Sequence, residues 1–319
     1  MKISGFTMGR NALKLYYPMR QSIESILPLV DEFVVVLGDS DADDTTRAEI
    51  DAIGSDKIRI IDTVWNIEKY PRGMEHAHQT DIARELCTGD WLFYLQSDEV
   101  VHEKDLDSIR ERCRELVFDK EVEGLLFRYR HFWGDYDHVQ DSHCWYRKEI
   151  RIIRNIPEVH SWESAQSFRR IPGFDGLNYR QQEGAYKLRV ATVDAEIFHY
   201  GWVRPPAVMQ NKIKAFSINH RGREKVEKQI AAQLFDHVYD YGNLSNLTRY
   251  EGTHPAVMKE WMDRFDWKGQ LRYTGPTQSS NPVKSKHDRS KYKIISWIEK
   301  NLLANRRLGE FRNYILLKR

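Results

Sequence analysis

Over the first 100 residues, apolar runs of strand length alternate with segments whose apolar residues recur at helical spacing, and this alternation constrains the fold more than any other feature. Residues 3–7 read as a short strand. Pro18 then stands where the first turn of a helix tolerates proline, ahead of Ile23, Ile26, Leu27 and Val30 on one side. Residues 33–37, FVVVL, form the continuous apolar run of a strand covered on both faces. The polar stretch 38–44 closes that run and leads into a helix over residues 45–53. Residues 57–61 alternate and are β-branched, and residues 74–87 carry Met74, Ala77, Ile82 and Leu86 on one helical side before Gly89 ends the helix. Residues 91–95 read as the most buried strand of the chain. Strands alternating with crossover helices predict an α/β fold with a parallel sheet, a nucleotide-binding class. A helix over 105–118 and strand-like stretches at 124–130, 145–154, 187–193 and 195–198 predict an α+β second half.

At 319 residues, with 41% hydrophobic and 30% charged residues, the chain has the composition of a globular protein with a sizeable core. Cys87, Cys113 and Cys144 have no CxxC spacing, which argues against a disulfide framework or a zinc knuckle and fits a reducing cytoplasm. Residues 1–10 lack the pattern of a signal peptide. No stretch reaches the ~18 consecutive apolar residues of a membrane span. The net charge of +2 conceals an asymmetry, because residues 284–319 hold 11 Lys or Arg against 3 Asp or Glu.

In open α/β sheets, ligands bind outside the carboxyl ends of the strands. Two acidic loops fall at such ends, residues 38–44 and Gln96-Ser97-Asp98-Glu99. Neither a GxGxxG after the first strand nor a Walker A pattern is present, so dinucleotide binding and P-loop phosphate transfer lose their usual support. A carboxylate directly after a buried strand, as at Asp98, suits a divalent cation that neutralises a departing diphosphate.

The stretch Gly89-Asp90-Trp91-Leu92-Phe93-Tyr94-Leu95-Gln96-Ser97-Asp98-Glu99 resembles the G-[DE]-[WY]-x-x-x-L-D-A-D-E segment of family-2 glycosyltransferases with the GT-A fold. The resemblance reaches back through residues 33–45, which look like that family's strand and acidic G-S-x-D-x-T loop, and covers residues 3–100 best. It implies a Rossmann-like GT-A domain with a mostly parallel sheet flanked by helices and a C-terminal helical extension. It also implies a nucleotide-sugar donor, Mn²⁺ or Mg²⁺ as cofactor, and inverting transfer.

Two positions depart from the family pattern. Gln96 replaces the first Asp of its D-x-D, leaving Asp98 as the retained metal carboxylate. Leu37 and Gly38 stand where base-binding acidic residues are common, with Asp39 and Asp43 near enough to compensate. His199-Tyr200-Gly201-Trp202 resembles a late H-Y-G-[WYF] stretch, which makes His199 a second metal ligand and Trp202 a residue that either stacks on sugar or base or packs in the core. A neutral imidazole there would offset part of the loss at Gln96. Val159-His160-Ser161-Trp162-Glu163 loosely resembles a V-H-E segment and makes Glu163 the candidate catalytic base, with His160 competing for that role. Glu75, His76 and His78 lack HExxH spacing and read as helix surface.

The domain reading is a catalytic domain over 1–204, a helical extension over 205–281, and a basic linker with an amphipathic tail over 282–319. In the tail, Ile294, Ile295, Trp297, Ile298 and Leu302 interleave with Lys and Arg. That pattern suits either packing on the catalytic domain or a peripheral contact with an anionic membrane, and no nucleic-acid motif accompanies it. The expected protein is a cytoplasmic glycosyltransferase of glycan biosynthesis, with a glycan, lipid-linked or other hydroxyl acceptor. Its rivals are a sugar-phosphate nucleotidyltransferase and a catalytically silent nucleotide- or glycan-binding module.

Overall fold

The structure, a computed structural model, describes all residues except 233–236, 277–278, 282–288, 304–306 and 310–311. The first half runs β1 (Ile3–Gly9), α1 (Met19–Ile26), β2 (Glu32–Leu37), α2 (Thr46–Asp51), β3 (Ile58–Asp62), α3 (Met74–Glu85) and β4 (Trp91–Tyr94). These strands lie in the order β3–β2–β1–β4, all parallel. The continuous apolar run of β2 follows from burial on both faces. Phe33, Val35 and Leu37 pack with Ile23 and Ile26 of α1, whereas Val34 and Val36 pack with Phe6, Leu92 and Tyr94 on the other side. Each such side chain contributes ~1.5–3 kcal/mol by leaving water. The α/β expectation is borne out.

The chain continues through β5 (Glu99–Val101), α4 (Leu106–Leu116), β6 (Gly124–Trp133), β7 (His138–Val139), β8 (Lys148–Arg154), β9 (Val159–Trp162), β10 (Ser167–Arg170), β11 (Tyr186–Lys187) and β12 (Arg189–Trp202). β8 enters the sheet antiparallel between β4 and β6, and β12 runs parallel along β6. The stretches 187–193 and 195–198 therefore do not form two strands: all but Lys187 and Leu188 belong to the single strand β12, with a register shift between Thr192 and Glu196. β9, β10 and β11 make a separate three-stranded antiparallel sheet.

Pro206 opens α5 (Pro206–Arg221), and Gly222, at φ 86°, ends it and begins α6 (Arg223–Ala231). One aromatic-rich cluster joins Phe132, Trp133 and Tyr200 to Met209, Trp261 and Trp267, so the core is continuous across Arg204. After β13 (Thr248–Arg249) and α7 (Lys259–Met262), the tail forms α8 (Ser290–Asn301) and β14 (Ile315–Leu316), the latter pairing with the start of β12. Among the described residues no helix is long and apolar enough to cross a membrane.

Candidate functional site

Beyond β4 the chain turns through Gln96–Glu99, and Glu99 fixes that turn. Its carboxylate has no solvent exposure and accepts a fork from Arg151, Nε at 2.7 Å and Nη2 at 2.8 Å, together with the Tyr129 hydroxyl at 2.9 Å. The Gln96 amide N–H adds a bond at 3.1 Å, and the Arg151 guanidinium lies over the rings of Tyr94 and Tyr129. Glu99 is thus a structural anchor, and Asp98 beside it lines the large cleft.

The register of β5 against β12 brings His199 to Asp98, because His199 pairs with Glu99 and the Tyr200 amide donates to the Asp98 carbonyl at 2.8 Å. A second register shift, between His199 and Trp202, turns the strand end. β6 places His131 alongside, and a chain of hydrogen bonds sets the tautomers. The Tyr146 carbonyl can only accept, so His131 donates to it from Nε2 at 2.7 Å. Burial holds His131 well below its usual pKa and therefore neutral, so its Nδ1 accepts from His199 Nδ1–H at 3.0 Å. The lone pair of His199 Nε2 is left facing Asp98 Oδ2 at 3.7 Å. Burial also lowers the pKa of His199. For Asp98, burial works against the charge, but the carboxyl is held below its ordinary range by its cationic neighbours, His199 when protonated and then Lys212 and Arg204.

A carboxylate and a bare imidazole nitrogen at this spacing fit a divalent ion, since metal–ligand bonds of ~2.1 Å can bridge them. Gly201 leaves the gap open: a Cβ there would fall onto Asp98 Oδ2 and His199 Nε2. Lys212 of α5 enters the same place. Its ammonium donates to the Gly201 carbonyl at 2.5 Å, stands 3.6 Å from Asp98 Oδ2, and lies near the rings of Tyr17 and Trp202. Burial first, then the charge of Arg204, draws the Lys212 pKa down to about 7. Neither Lys212 nor Arg204 carries a signal of its own in the sequence. Only the strand register and the docking of α5 bring them to Asp98.

Gln96 lines the cleft, but its side-chain amide donates to the Ala165 carbonyl at 2.9 Å rather than turning to Asp98. That bond holds the loop after β9, where both Glu163 (φ 57°) and Ala165 (φ 59°) occupy the left-handed region. Glu163 lines the cleft, with Arg180 Nη2 at 3.5 Å from its carboxylate. His160 does not line it: Asp81 holds its Nδ1 at 2.8 Å, and its ring packs on Phe174. Asp81, Glu85 and His160 form a three-donor group, but Arg84 and the Ser161 amide also engage Asp81, which gives it a structural pairing.

Trp202 lines the cleft and stacks on Trp133, with ring centroids 4.8 Å apart. Asp39 sits at the far end, accepting from the Trp65 amide at 3.0 Å and pairing with Arg10 at 3.2 Å; Trp65 and Arg10 both line the cleft. Asp43 lies apart, exposed and paired with Lys14 at 2.7 Å, and Asp41 is the lining residue of that loop. The surface reading of α3 is corrected. Glu75 is 1% exposed and bonded by Gln79, His76 lines the cleft between Trp65 and His220 of α5, and His78 stacks on Tyr70, because the loop before α3, and α5 beside it, cover this side of the helix.

The cleft has a volume of about 1120 Å³ and runs from Arg10 and Trp65 past Asp98 to Tyr292 and Arg307 of the tail. No family model and no curated protein matches the chain. Among solved structures it is similar to glucosyl-3-phosphoglycerate synthase from Mycobacterium tuberculosis in complex with Mn²⁺, uridine diphosphate and phosphoglyceric acid. That match has 18% identity over 40% of this chain and 43% of the other, with a TM-score of 0.28. It is also similar to S. aureus TarS 1–349 in complex with UDP, at 12% identity over 69% of this chain and 65% of that one, with a TM-score of 0.39. The chain spans less than half the length of the synthase it matches.

Proposed function

We propose that the chain is a glycosyltransferase that moves a sugar from a nucleotide-sugar donor to a hydroxyl acceptor. The observation that carries this reading is the convergence of Asp98 and the bare Nε2 of His199, 3.7 Å apart, in a deep cleft at the carboxyl end of a parallel sheet. Mn²⁺ or Mg²⁺ held there by Asp98 and His199 would supply counter-charge to the donor's diphosphate. Asp39 orients Trp65 and Arg10 at the nucleoside end, and Trp202 offers a ring face to the sugar.

Glu163 takes the proton of the acceptor hydroxyl as its oxygen bonds to the anomeric carbon. The bond from that carbon to the diphosphate oxygen breaks, its electron pair leaves with the nucleoside diphosphate, and direct displacement inverts the anomeric centre. Loss of the first Asp of the D-x-D does not by itself argue for a silent module, because Gln96 has a different task in holding the Glu163 loop. The exposed side of α8, with Ile294 and Trp297 each 59% exposed beside Lys291 and Lys300, favours an acceptor carried at an anionic membrane on its cytoplasmic face.

The test is turnover of a panel of UDP-, GDP-, ADP- and CMP-sugars with Mn²⁺ or Mg²⁺. Metal-stimulated release of the free nucleotide supports the enzyme, whereas binding of nucleotide without any release overturns it in favour of a binding module.

A further inference from the structure

The charges around Asp98 do not balance as they would in a site that leaves the diphosphate wholly to a metal ion. Among the described residues, the only group of three metal-donor side chains is Asp81, Glu85 and His160, away from this cleft. Asp98 has a single such partner, His199. Against that one carboxylate stand two cations. Lys212 Nζ is 3.6 Å from Asp98 Oδ2, and Arg204, with no solvent exposure, donates Nη1 to the Leu15 carbonyl and lies over the Tyr17 ring. Arg204 Nε and Nη2 are buried with no hydrogen-bond partner. Burying a cation without a matching anion is costly, and an anionic ligand in the adjoining cleft would relieve that cost.

Lys212 is the cation that reaches the cleft. Of its three protons, one goes to the Gly201 carbonyl. The rings of Tyr17 and Trp202 flank the ammonium without accepting an ordinary hydrogen bond, and Asp98 lies beyond hydrogen-bond distance. The ammonium is therefore held in place with donors to spare, beside the two groups that would hold the metal.

We infer that Lys212, backed by Arg204, binds the terminal phosphate of the donor's diphosphate, so that this chain holds nucleoside diphosphates even without a metal ion. The inference rests on the nucleotide-sugar reading above and assigns a residue that neither the D-x-D resemblance nor the H-Y-G-W stretch contains. Lys212 acts in its protonated form, as a positioning charge for the leaving group rather than as an acid or base.

Calorimetry on the full chain tests this with UDP, GDP, ADP and CDP, each beside its monophosphate, in EDTA and in Mn²⁺. In EDTA the wild type should bind one diphosphate roughly tenfold or more tighter than its monophosphate, the preference expected of one charge-assisted hydrogen bond. Lys212→Met and Lys212→Gln should reduce that preference to about threefold or less while leaving monophosphate affinity unchanged, and Mn²⁺ should restore part of the lost diphosphate affinity. Diphosphate binding by the wild type only when Mn²⁺ is present overturns the inference and leaves the glycosyltransferase reading standing. So does a wild-type preference retained in both variants. Failure of every nucleotide to bind the wild type, with or without Mn²⁺, removes both. A wild type that shows no diphosphate preference in EDTA overturns the inference even if a variant does not fold.

Discussion

Asp98 faces His199 and Lys212 in the cleft and has one chemical task, so its replacement is the sharpest test at the level of single residues. Asp98→Asn should still fold, at some cost in melting temperature because Lys212 and Arg204 lose their nearby carboxylate, and should lower metal-dependent transfer by about 100-fold or more, because an amide is a poor ligand for a hard divalent ion. Unchanged turnover would remove Asp98 from the metal site. Gln96 makes a subtler case. In sequence, Gln96→Asp restores a familiar motif; in the structure it deletes the donor to the Ala165 carbonyl, 2.9 Å away, since a shorter carboxylate cannot donate. The variant should lose about 1 kcal/mol of stability, and its transfer rate should fall rather than rise as the Glu163 loop loosens. His254 adds a pH dependence. In the neutral ring Nε2–H donates to the Tyr136 carbonyl and Nδ1 accepts from the Tyr200 hydroxyl, and burial lowers the pKa to about 4. The unfolded chain, with a histidine pKa of ~6.5, then binds the proton more readily than the folded one. Stability from this site is level above pH ~6.5 and declines as pH falls toward about 4. Unfolding midpoints across that range should show the decline, and His254→Gln, which keeps a neutral donor and acceptor, should make it shallower, the part due to other buried histidines such as His131 and His199 remaining.

Elements were legible in the sequence where burial writes a pattern, and illegible where pairing alone makes the structure. β2 was plain because both its faces are covered, which demands five apolar residues in a row, and β4 was plain for the same reason. β5 has only Glu99–Val101, too short for any periodicity, yet its pairing with β12 brings Asp98 and His199 together. Recognition of the D-x-D remnant and of H-Y-G-W supplied those two residues, but their contact comes from a register that no local window contains. Lys212 was missed because a lone lysine on a helix ordinarily signals a solvated face. The polar side of α3 misled for the opposite reason, since Glu75, Gln79, Asp81 and Arg84 are buried in bonds to one another and to neighbouring strands. The turn that carries Asp98 depends on the Glu99–Arg151 pair, and its energetics can be set against an ordinary pair. Glu99→Gln leaves a buried guanidinium without its counter-charge and should cost about 3–5 kcal/mol. Glu224→Gln on exposed α6, where Lys228 is the partner, should cost under ~0.5 kcal/mol. Urea unfolding of the two variants measures both, and equal losses would deny Glu99 its anchoring role.

At the scale of the whole molecule, the basic tail both packs and faces outward. Glu299 of α8 is 2% exposed and binds His143 at 2.7 Å, Arg307 at 2.9 Å and the Leu308 amide at 2.7 Å, and His143 donates its own amide to Ser296. β14 pairs with β12, and Arg319 reaches Asp119 at 2.9 Å. Tyr292, Arg307, Asn313 and Tyr314 line the cleft, so the tail forms one of its walls; Phe311 and residues 282–288 lie outside the described residues. Removing residues 289–319 should therefore lower the melting temperature by several degrees and reduce transfer, which a detachable membrane anchor would not do. The outward side of α8 is a separate matter. Ile294, Trp297 and Leu302 are exposed beside Lys291 and Lys300, which pairs apolar surface with charge that an anionic bilayer would attract. Trp297→Ser with Lys291→Ser and Lys300→Ser touches none of the docking contacts. That triple variant should melt with the parent and turn over a water-soluble acceptor at the parental rate, yet lose co-sedimentation with anionic vesicles. The parent should bind such vesicles more weakly as salt rises and ignore neutral ones, because the surface potential is screened over ~10 Å at 0.1 M salt. A parent that fails to sediment with anionic vesicles at low salt would reduce the outer side of α8 to ordinary surface and move the acceptor into solution.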